Sequence, residues 1–354
     1  MYNYNNYKGN EIKIFPRGLL NLSTTTRKIK KYNNHKDLNM YNSCYINASI
    51  QCLFRLDEFV KNILKCENKG NLVIETKNLI YNMQNTYDKK KQCTVAGIKQ
   101  AMGEKDIIYN NDEQEDANEF ITNYLNQLVE ETKDIGRLNW RCLIKDEEYF
   151  NDFLYKFQKR KGNSFILDLF YGLTRTEEYC NNCNAIFSIK FNTFNILELP
   201  ISEEDYEYEN TETIDMKVLL QNFISEKKNK NERCSKCKKL VKVKTSINSL
   251  PKNLIIYFNT DNSSKKRNKI NIQRTINFEN YVYDKSLIND NDYFYHLKGI
   301  IFYSKFSANG GHYKAACLVN NEKWYYFDDN RYETDHNLLR IYDNDNPSFL
   351  FYEK

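Results

Sequence analysis

One stretch of this chain is more informative about its fold and chemistry than any other: residues 38–53, LNMYNSCYINASIQCL. From Ile46 to Leu64, apolar residues recur at steps of three and four, which predicts a helical pattern directly after Cys44. At a helix N-terminus, free backbone N–H groups and the positive end of the dipole favour the thiolate, the nucleophilic form of cysteine. The alternative is a buried structural cysteine, a common state of this residue type, and the motif alone leaves both interpretations open.

The residues just before Cys44 are suited to support a nucleophile. Asn42 and Ser43 are residue types that cap helices. Asn39 carries an amide that could donate a hydrogen bond to an oxyanion formed during attack by the thiolate. Cys44 and Asn39 are therefore candidate catalytic residues.

A second group of candidate catalytic residues follows much later, in the segments NGGHY (309–313) and WYYFDDN (324–330). His312 begins one predicted strand and Asp328 ends the next, so a hairpin would bring the two side chains together. A carboxylate in that position holds the imidazole tautomer that accepts a proton from a thiol. The paired glycines lack Cβ atoms and would let an extended substrate pass close to the histidine. A structural histidine with satisfied hydrogen bonds is the alternative.

Four cysteines form two Cys-x-x-Cys motifs, Cys180/Cys183 and Cys234/Cys237, each among turn-forming residues. Together they supply the four thiolates of a tetrahedral structural zinc site, with no position left for a catalytic water. About 50 residues separate the motifs, compared with about 15–20 in a compact zinc ribbon, so the metal would join two ends of a long β insertion. Two unrelated pairs of reduced cysteines are the alternative.

The composition indicates a globular chain with a hydrophobic core. Of its 354 residues, 41% are hydrophobic and 28% charged, and the net charge of +5 is too small to argue for nucleic acid as a partner. Residues 1–35 are polar and are predicted to form a flexible or loosely attached leader. A second helix is predicted to begin near Asp116, and β-branched and aromatic runs follow beyond about residue 165. The predicted strands are Phe187–Phe194, Leu254–Phe258, Tyr293–Tyr303, Tyr313–Val319 and Trp324–Phe327. A helical first part and a β second part give the fold class α+β.

No stretch of the sequence has the pattern of a signal peptide or the apolar length of a transmembrane helix. We therefore expect a reducing compartment, cytoplasmic or nuclear, and no membrane partner. In such a compartment the ten cysteines are catalytic, metal-binding or buried rather than disulfide-bonded.

Taken in order, these motifs resemble those of the ubiquitin-specific protease family. The matching segments are 38–53 (cysteine box), 114–120 (QEDANEF, a short helix motif), 180–183 and 234–237 (zinc-bearing fingers, with Leu199-Pro200-Ile201 between them), 311–313 and 324–329 (histidine box), and 348–354 (closing strand). The resemblance covers about residues 37–354, and five motifs in the same order are far more specific than any single one.

The resemblance implies a papain-like cysteine protease fold in three parts. These are a helical thumb at about residues 36–165, a palm at about 166–354, and zinc-tied β fingers at about 175–250 inserted in the palm. It also implies a deubiquitinase, a thiol isopeptidase that hydrolyses the bond after the C-terminal glycine of ubiquitin. Its partners would be ubiquitin and ubiquitinated proteins, and one structural zinc per chain would be the only cofactor.

The resemblance also assigns roles to individual residues. The implied catalytic residues are Cys44 (nucleophile), His312 (general base), Asp328 (orienting carboxylate) and Asn39 (oxyanion donor). Asp329, next to Asp328, is an expected supporting carboxylate. The implied substrate-binding residues are Asp116 and Glu119, which would face the basic tail of ubiquitin. The paired glycines Gly310 and Gly311 are candidate substrate-binding residues because they lack Cβ atoms. The implied zinc ligands are Cys180, Cys183, Cys234 and Cys237.

Three alternatives stay open from the sequence. One is a protease for another ubiquitin-like modifier. A second is a catalytically silent ubiquitin-binding module on the same fold, against which the intact Cys44, His312 and Asp328 argue. A third is a zinc-ribbon nucleic-acid binder, suggested by the basic residues between Lys227 and Lys239, although a charge run is usually a solvated face.

Overall fold

The first part of the chain folds into helices, one of which lies inside the protein. The computed structural model describes residues 16–19, 42–67, 70–84, 93–111, 113–133, 147–201, 213–260, 269–283, 293–307, 310–335 and 346–354. The helices before the first strand are α1 (Cys44–Leu53), α2 (Asp57–Lys65), α3 (Asn71–Gln84), α4 (Ala96–Gly103), a 3₁₀ turn (Ile107–Asn110), α5 (Ala117–Glu131), α6 (Glu147–Lys161) and α7 (Phe165–Phe170). All ten residues of α1 are buried, so the candidate nucleophile begins an interior helix.

The helical pattern predicted from Ile46 to Leu64 is interrupted in the structure. After α1 the chain becomes extended at Leu56 (φ −88°, ψ 102°), and α2 begins at Asp57. Asp57 and Glu58 occupy the first turn of α2, where the helix dipole favours carboxylates. Because the apolar residues keep their spacing across the break, periodicity alone does not reveal it.

The helix predicted near Asp116 is α5. The Asp116 side chain caps it by accepting hydrogen bonds from the backbone N–H groups of Asn118 and Glu119. One face is buried at steps of three and four: Phe120, Ile121, Tyr124, Leu125 and Leu128. The cap and the apolar face together determine where the helix starts and which side is buried.

The second part of the chain is built on an eight-stranded sheet, here called the palm sheet. Its strands are β3 (Leu197–Ile201), β7 (Asn253–Thr260), β9 (Thr275–Asn277), β10 (Phe294–Ser307), β11 (Gly310–Val319), β12 (Lys323–Asp328), β13 (Arg331–Asp335) and β14 (Asn346–Glu353). The order is β13-β12-β11-β10-β14-β7-β3, with β9 beside β10, and only β3 and β7 pair in parallel. The strands β10 to β13 follow one another as antiparallel neighbours, which places the two segments of the predicted histidine site on adjacent strands.

Both faces of the palm sheet are covered. Along β14, Phe349 and Phe351 belong to the core shared with the helices, whereas Leu350 and Tyr352 belong to a second core on the opposite face. This alternation follows from the period of two in a strand. On the helical face the sheet comes so close to α1 that a Cβ atom at Gly299 would lie 2.9 Å from the Cys52 Sγ atom.

A second, four-stranded sheet, here called the finger sheet, has the order β2-β1-β6-β5. Its strands are β1 (Gly172–Cys180), β2 (Ala185–Phe194), β5 (Glu226–Arg233) and β6 (Leu240–Ser249). Between β2 and β5 lie β3 of the palm sheet, a short strand β4 (Thr213–Asp215) that pairs with β8 (Lys269–Asn271), and helix α8 (Met216–Ile224). The finger sheet therefore combines two pairs of strands that are separated in the sequence by β3, β4 and α8. The residues that its strands span are close to the predicted range of residues 175–250.

Part of the predicted leader is firmly packed. Leu19 is fully buried in the core, and its backbone forms a parallel bridge with Cys93. Arg17 is held at both ends, because its carbonyl accepts from Gln51 Nε2 at 2.6 Å and its Nη1 donates to the Asn82 carbonyl at 3.2 Å. The prediction of a loosely attached leader over residues 1–35 is therefore wrong for residues 16–19, and the rest of that range lies outside the described residues. A polar leader sequence gives no sign that a single leucine is inserted into the core.

The fold class predicted from the sequence, α+β with a helical part, a palm sheet and a finger sheet, is confirmed. Within the described segments, none of the helices combines the length and the apolar character that crossing a bilayer requires.

Candidate active site

Cys44 lies at the N-terminus of α1 with 3% of its surface exposed. Asn42 precedes it with φ 56°, a left-handed conformation that asparagine adopts more readily than most residues, and directs the chain into the helix. Ser43 is the N-cap residue but makes no side-chain capping hydrogen bond. Its backbone (φ −90°, ψ 11°) is not in the extended region usual for a capping hydroxyl, so the predicted capping by Ser43 is wrong. The predicted start of a helix at Cys44 is present.

His312 and Asp328 lie side by side, with the His312 Nε2 and Asp328 Oδ1 atoms 2.6 Å apart. This hydrogen bond, followed by one with Cys44, raises the pKa of His312 from its ordinary value near 6.5 to about 10. The same contact with His312 lowers the pKa of Asp328. The structure thus places an imidazole, stabilised in its protonated form, between a thiol and a carboxylate.

Asp329, the neighbouring carboxylate, is held by a different contact. Its Oδ2 atom lies 4.0 Å from His312 Nε2, outside hydrogen-bond distance. Its Oδ1 atom accepts a hydrogen bond of 2.8 Å from Asn47 Nδ2. Asn47 lies on α1 about one turn after Cys44, so one helix presents the thiol and fixes the second carboxylate.

The candidate substrate-binding residues lie where the N-terminus of α5 meets β11. Besides capping α5, Asp116 approaches the palm sheet, with its Oδ2 atom 3.4 Å from the Tyr313 hydroxyl. Tyr313 directly follows His312, so Asp116 contacts the strand that carries the candidate general base. Glu119 is exposed in the first turn of the same helix.

Gly310 and Gly311 begin β11. A Cβ atom at Gly311 would lie 2.3 Å from the ring and hydroxyl of Tyr303, so a larger residue there would have to displace the Tyr303 ring. The Gly311 N–H donates to Gln114 Oε1 at 2.8 Å, which joins the loop before α5 to β11. The sequence attributed the small size of Gly311 to the passage of substrate, whereas the structure shows a close contact with Tyr303.

The four candidate metal ligands meet at one end of the finger sheet. Cys180 ends β1 and Cys183 lies in the turn to β2, while Cys234 and Cys237 lie between β5 and β6. Their Sγ atoms all lie within 4.8 Å of one another. Separations of 3.5 Å (Cys180 to Cys237) and 3.9 Å (Cys183 to Cys234) bracket the spacing of about 3.8 Å expected for sulfurs 2.3 Å from a tetrahedral zinc.

The chemistry of this donor set also fits a metal. A hydrogen bond from the backbone N–H of Lys239 lowers the pKa of the Cys237 thiol to about 6, whereas the hydrogen bond with Cys237 raises the pKa of the Cys183 thiol. A lowered pKa favours the thiolate, the form that binds zinc. The second metal-compatible group among the described residues, His312 with Asp328 and Asp329, already forms the hydrogen-bonded site above.

The sequence over residues 36–352 matches the family model described as ubiquitin carboxyl-terminal hydrolase. This match covers most of the chain. The chain belongs to the ubiquitin carboxyl-terminal hydrolase family. Among relatives, it is 24% identical over 313 residues to ubiquitin carboxyl-terminal hydrolase Usp2 of Drosophila melanogaster, covering 82% of this chain and 32% of the relative. It is 25% identical over 378 residues to ubiquitin carboxyl-terminal hydrolase 5 of Saccharomyces cerevisiae, covering 90% of this chain and 46% of the relative.

Solved structures of ubiquitin carboxyl-terminal hydrolases share the fold. The Ubp8/Sgf11/Sus1/Sgf73 DUB module of SAGA bound to monoubiquitin superposes with a TM-score of 0.69 over 98% of this chain and 70% of that chain, at 17% identity. The same module bound to ubiquitin aldehyde gives a TM-score of 0.67, again at 17% identity. The papain-like fold with thumb, palm and fingers is therefore confirmed, while this chain spans less than half the length of the two curated relatives named above.

For this member of the ubiquitin carboxyl-terminal hydrolase family, the structure brings together Cys44, His312, Asp328 and Asp329, and separately the four cysteines. Asn39, the candidate oxyanion donor, lies outside the described residues. Asn47 was within the quoted motif but received no role, and Gln114 and Leu19 were not singled out for the site. Of these three residues, only Asn47 could have been found from the sequence, because a buried polar residue one turn after a nucleophile needs a hydrogen-bond partner.

Proposed function

We propose that this chain is a deubiquitinating thiol isopeptidase that hydrolyses the bond after the C-terminal glycine of ubiquitin. The proposal rests on one observation: in a member of the ubiquitin carboxyl-terminal hydrolase family, the His312 imidazole is hydrogen-bonded to Asp328 at 2.6 Å, and its interaction with Cys44 helps to raise its pKa. Each of these three groups has the chemistry that acyl transfer by a thiol requires.

The reaction follows from the positions of the three groups. The Cys44 thiolate attacks the carbonyl carbon of the terminal glycine, and the imidazolium of His312 gives its proton to the departing lysine amine. The acyl group remains on Cys44 as a thioester. Water then attacks the thioester while His312 takes a proton, which releases the ubiquitin carboxylate and regenerates the thiolate. Asp328 holds the imidazole orientation through both steps.

Two further groups support the transition state in this proposal. Asn39 donates a hydrogen bond to the oxyanion that forms during each attack. Asp329 contributes negative charge 4.0 Å from the His312 ring, without a direct hydrogen bond to it. We therefore assign Asp328 the larger role and Asp329 the supporting one.

The proposed path of the ubiquitin tail runs between the N-terminus of α5 and the start of β11. Asp116 and Glu119 provide exposed carboxylates for arginines of the tail. The extended backbone of the tail passes Gly310 and Gly311 on its way to Cys44. One carboxylate oxygen of Asp116 already accepts from the backbone of α5, and the other lies 3.4 Å from the Tyr313 hydroxyl.

The proposed cofactor is one structural zinc per chain, held by Cys180, Cys183, Cys234 and Cys237. When bound, it would join the two hairpin ends of the finger sheet through its four thiolate ligands and would take no part in the hydrolysis. The proposed partners are ubiquitin and ubiquitinated proteins, with no nucleic acid or membrane. We place the protein in a reducing compartment, cytoplasmic or nuclear, because its four clustered thiols must stay reduced to bind a metal.

The test is cleavage of a panel of isopeptide-linked diubiquitins and of substrates built on other ubiquitin-like modifiers. The wild-type protein should release monoubiquitin and leave the other modifiers intact. The matched control is Cys44→Ala, which should cleave nothing while retaining its melting temperature and its binding of ubiquitin.

The alternatives give different results in the same experiment. Cleavage of another modifier in place of ubiquitin would change the substrate but keep the chemistry. Binding of ubiquitin by wild type and Cys44→Ala with no cleavage by either would indicate a silent binding module, and would refute the proposed enzyme.

A further inference from the structure

Residues 16–19, here called the strap, lie against the turn that carries Asp329. The Leu19 N–H donates to the Asp329 carbonyl at 2.8 Å. A Cβ atom at Gly18 would lie 2.3 Å from the carbonyl oxygen of Asn330, so the strap backbone is in van der Waals contact with the next residue of the turn. Two residues of the strap thus contact two residues of the turn through main-chain atoms.

The turn needs such support because of its backbone conformation. Asp329 has φ 53°, in the left-handed region, where a residue with a Cβ atom is strained. Strained conformations persist only when the surrounding structure holds them in place. The hydrogen bond to the Asp329 carbonyl restrains the orientation of its peptide plane.

Asn47 joins the strap to the side chain of Asp329. The two N–H bonds of its Nδ2 atom are directed at the Asp329 Oδ1 atom (2.8 Å) and at the Leu19 carbonyl (3.3 Å). Asn47 is 3% exposed, so these hydrogen bonds are shielded from water. Leu19 therefore donates to the turn and accepts from Asn47, and the three residues form a closed network behind His312.

The strap is itself anchored at sites away from the turn. Leu19 is inserted in the core, and Arg17 is hydrogen-bonded to Gln51 of α1 and to the end of α3. Gln51 lies on the same helix as Cys44. The strap, which is held by α1, thus helps to position the Asp329 carboxylate that faces His312. The position of Asp329 therefore depends on residues that lie 282 positions or more away in the sequence.

We propose that the strap and Asn47 are positioning elements of the active site, which hold the Asp329 carboxylate toward His312 and are required for full turnover. This inference rests on the proposed function, because it concerns the rate of that reaction. Neither the strap nor Asn47 touches the reacting atoms.

The test compares Asn47→Ala, Gly18→Ala and Asp329→Ala in steady-state hydrolysis of a fluorogenic ubiquitin amide. Asp329→Ala should lower kcat by about tenfold, and Asn47→Ala should reproduce most of that loss with KM changed less than about twofold. Gly18→Ala, whose methyl group pushes the strap away from the turn, should lower kcat by about threefold or more without removing any polar group. The control is Ser49→Ala, another buried polar residue of α1, whose hydroxyl donates to the Tyr45 carbonyl of the same helix.

The double variants separate positioning from general support of the fold. In the Asp329→Ala background, Asn47→Ala and Gly18→Ala should each cost less than about twofold, because the group they position is absent. A full loss in that background, or wild-type kcat in both single variants, would overturn the inference. So would equal losses in Asn47→Ala and Ser49→Ala at equal melting temperatures.

Failure of the proposed function would be recognised separately. If the wild-type protein does not hydrolyse the ubiquitin amide, the readout becomes the rate at which iodoacetamide alkylates Cys44. Mass spectrometry of the peptide that contains Cys44 measures this rate. The inference then expects slower alkylation in Asn47→Ala and Gly18→Ala than in wild type and Ser49→Ala. Equal rates in all four proteins would refute it.

Discussion

The Asp116 carboxylate has two roles in this account, as the cap of α5 and as a partner of the ubiquitin tail, and substitutions can test them separately. Its Oδ1 atom accepts from the backbone N–H groups of Asn118 (2.6 Å) and Glu119 (3.3 Å), which caps α5. In the proposed function, the same side chain also pairs with an arginine of the ubiquitin tail. Asp116→Asn keeps an oxygen for the cap but removes the charge, whereas Asp116→Ala removes both.

The expected magnitudes differ for the two roles. Loss of an N-cap side chain destabilises a protein by about 0.5–2 kcal/mol, so Asp116→Ala should lower the melting temperature while Asp116→Asn should hardly change it. A hydrogen bond to a charged group contributes about 1.5–3 kcal/mol when shielded, and about 1.4 kcal/mol corresponds to a tenfold change in rate. Because Asp116 is exposed before the tail binds, we take the lower end and expect both variants to lose about tenfold in kcat/KM.

The assay is hydrolysis of a fluorogenic ubiquitin amide, with thermal unfolding measured on the same preparations. Glu119→Gln is the companion variant, since Glu119 is exposed one turn along α5 and accepts no cap hydrogen bond from it. The charge-reversed Asp116→Arg should be partly rescued by a ubiquitin whose tail arginine is changed to glutamate. If Asp116→Asn cleaves at the wild-type rate and only Asp116→Ala is impaired, in proportion to its lost stability, Asp116 is a cap and does not bind the tail.

Further predictions concern the catalytic carboxylates, the metal and pH. Asp328→Ala should lower kcat/KM by about 100-fold and Asp329→Ala by about tenfold, because the Asp328 carboxylate lies 2.6 Å from His312 Nε2 and the Asp329 carboxylate lies 4.0 Å from it. The reverse order in steady-state kinetics would exchange their roles. Elemental analysis should find one zinc per chain. Removal of the metal by a chelator and the substitution Cys180→Ser should each lower the melting temperature. An unchanged melting temperature after metal removal would contradict a structural zinc. The raised pKa of His312 stabilises the fold at pH values below its ordinary pKa near 6.5, and this stabilisation is lost as the pH rises toward about 10. The difference in unfolding free energy between wild type and Asp328→Ala, measured in urea, should therefore shrink from pH 6.5 to pH 10, and a constant difference would contradict the ion pair.

Sequence patterns predicted those parts of the site that depend on neighbouring residues. The start of a helix at Cys44, the hairpin that joins His312 to Asp328, and the start of a second helix near Asp116 each follow from a few adjacent positions and the geometry of one element. The cluster of four thiols followed from two short motifs, because each Cys-x-x-Cys turn presents a pair of ligands whatever the chain does between them.

The features that the sequence did not reveal are long-range contacts and a helix break that does not change the spacing of the apolar residues. The burial of Leu19 depends on a pocket formed by distant residues, and the Asn47–Asp329 hydrogen bond joins residues 282 positions apart. The break between α1 and α2 leaves the apolar spacing intact, so the pattern cannot show it. The sequence singled out Gly311 for the passage of substrate, and it could not show that the Tyr303 ring lies against this glycine, because the sheet register brings the two together.

The central claim is that Cys44 is the nucleophile that attacks the C-terminal glycine of ubiquitin. The most direct measurement is reaction of the intact protein with ubiquitin carrying a C-terminal electrophile, followed by intact-mass analysis and peptide mapping. We predict a single adduct of one ubiquitin on Cys44 in the wild-type protein and none in Cys44→Ala. No adduct in a folded wild-type protein, or an adduct on another cysteine, would contradict the claim.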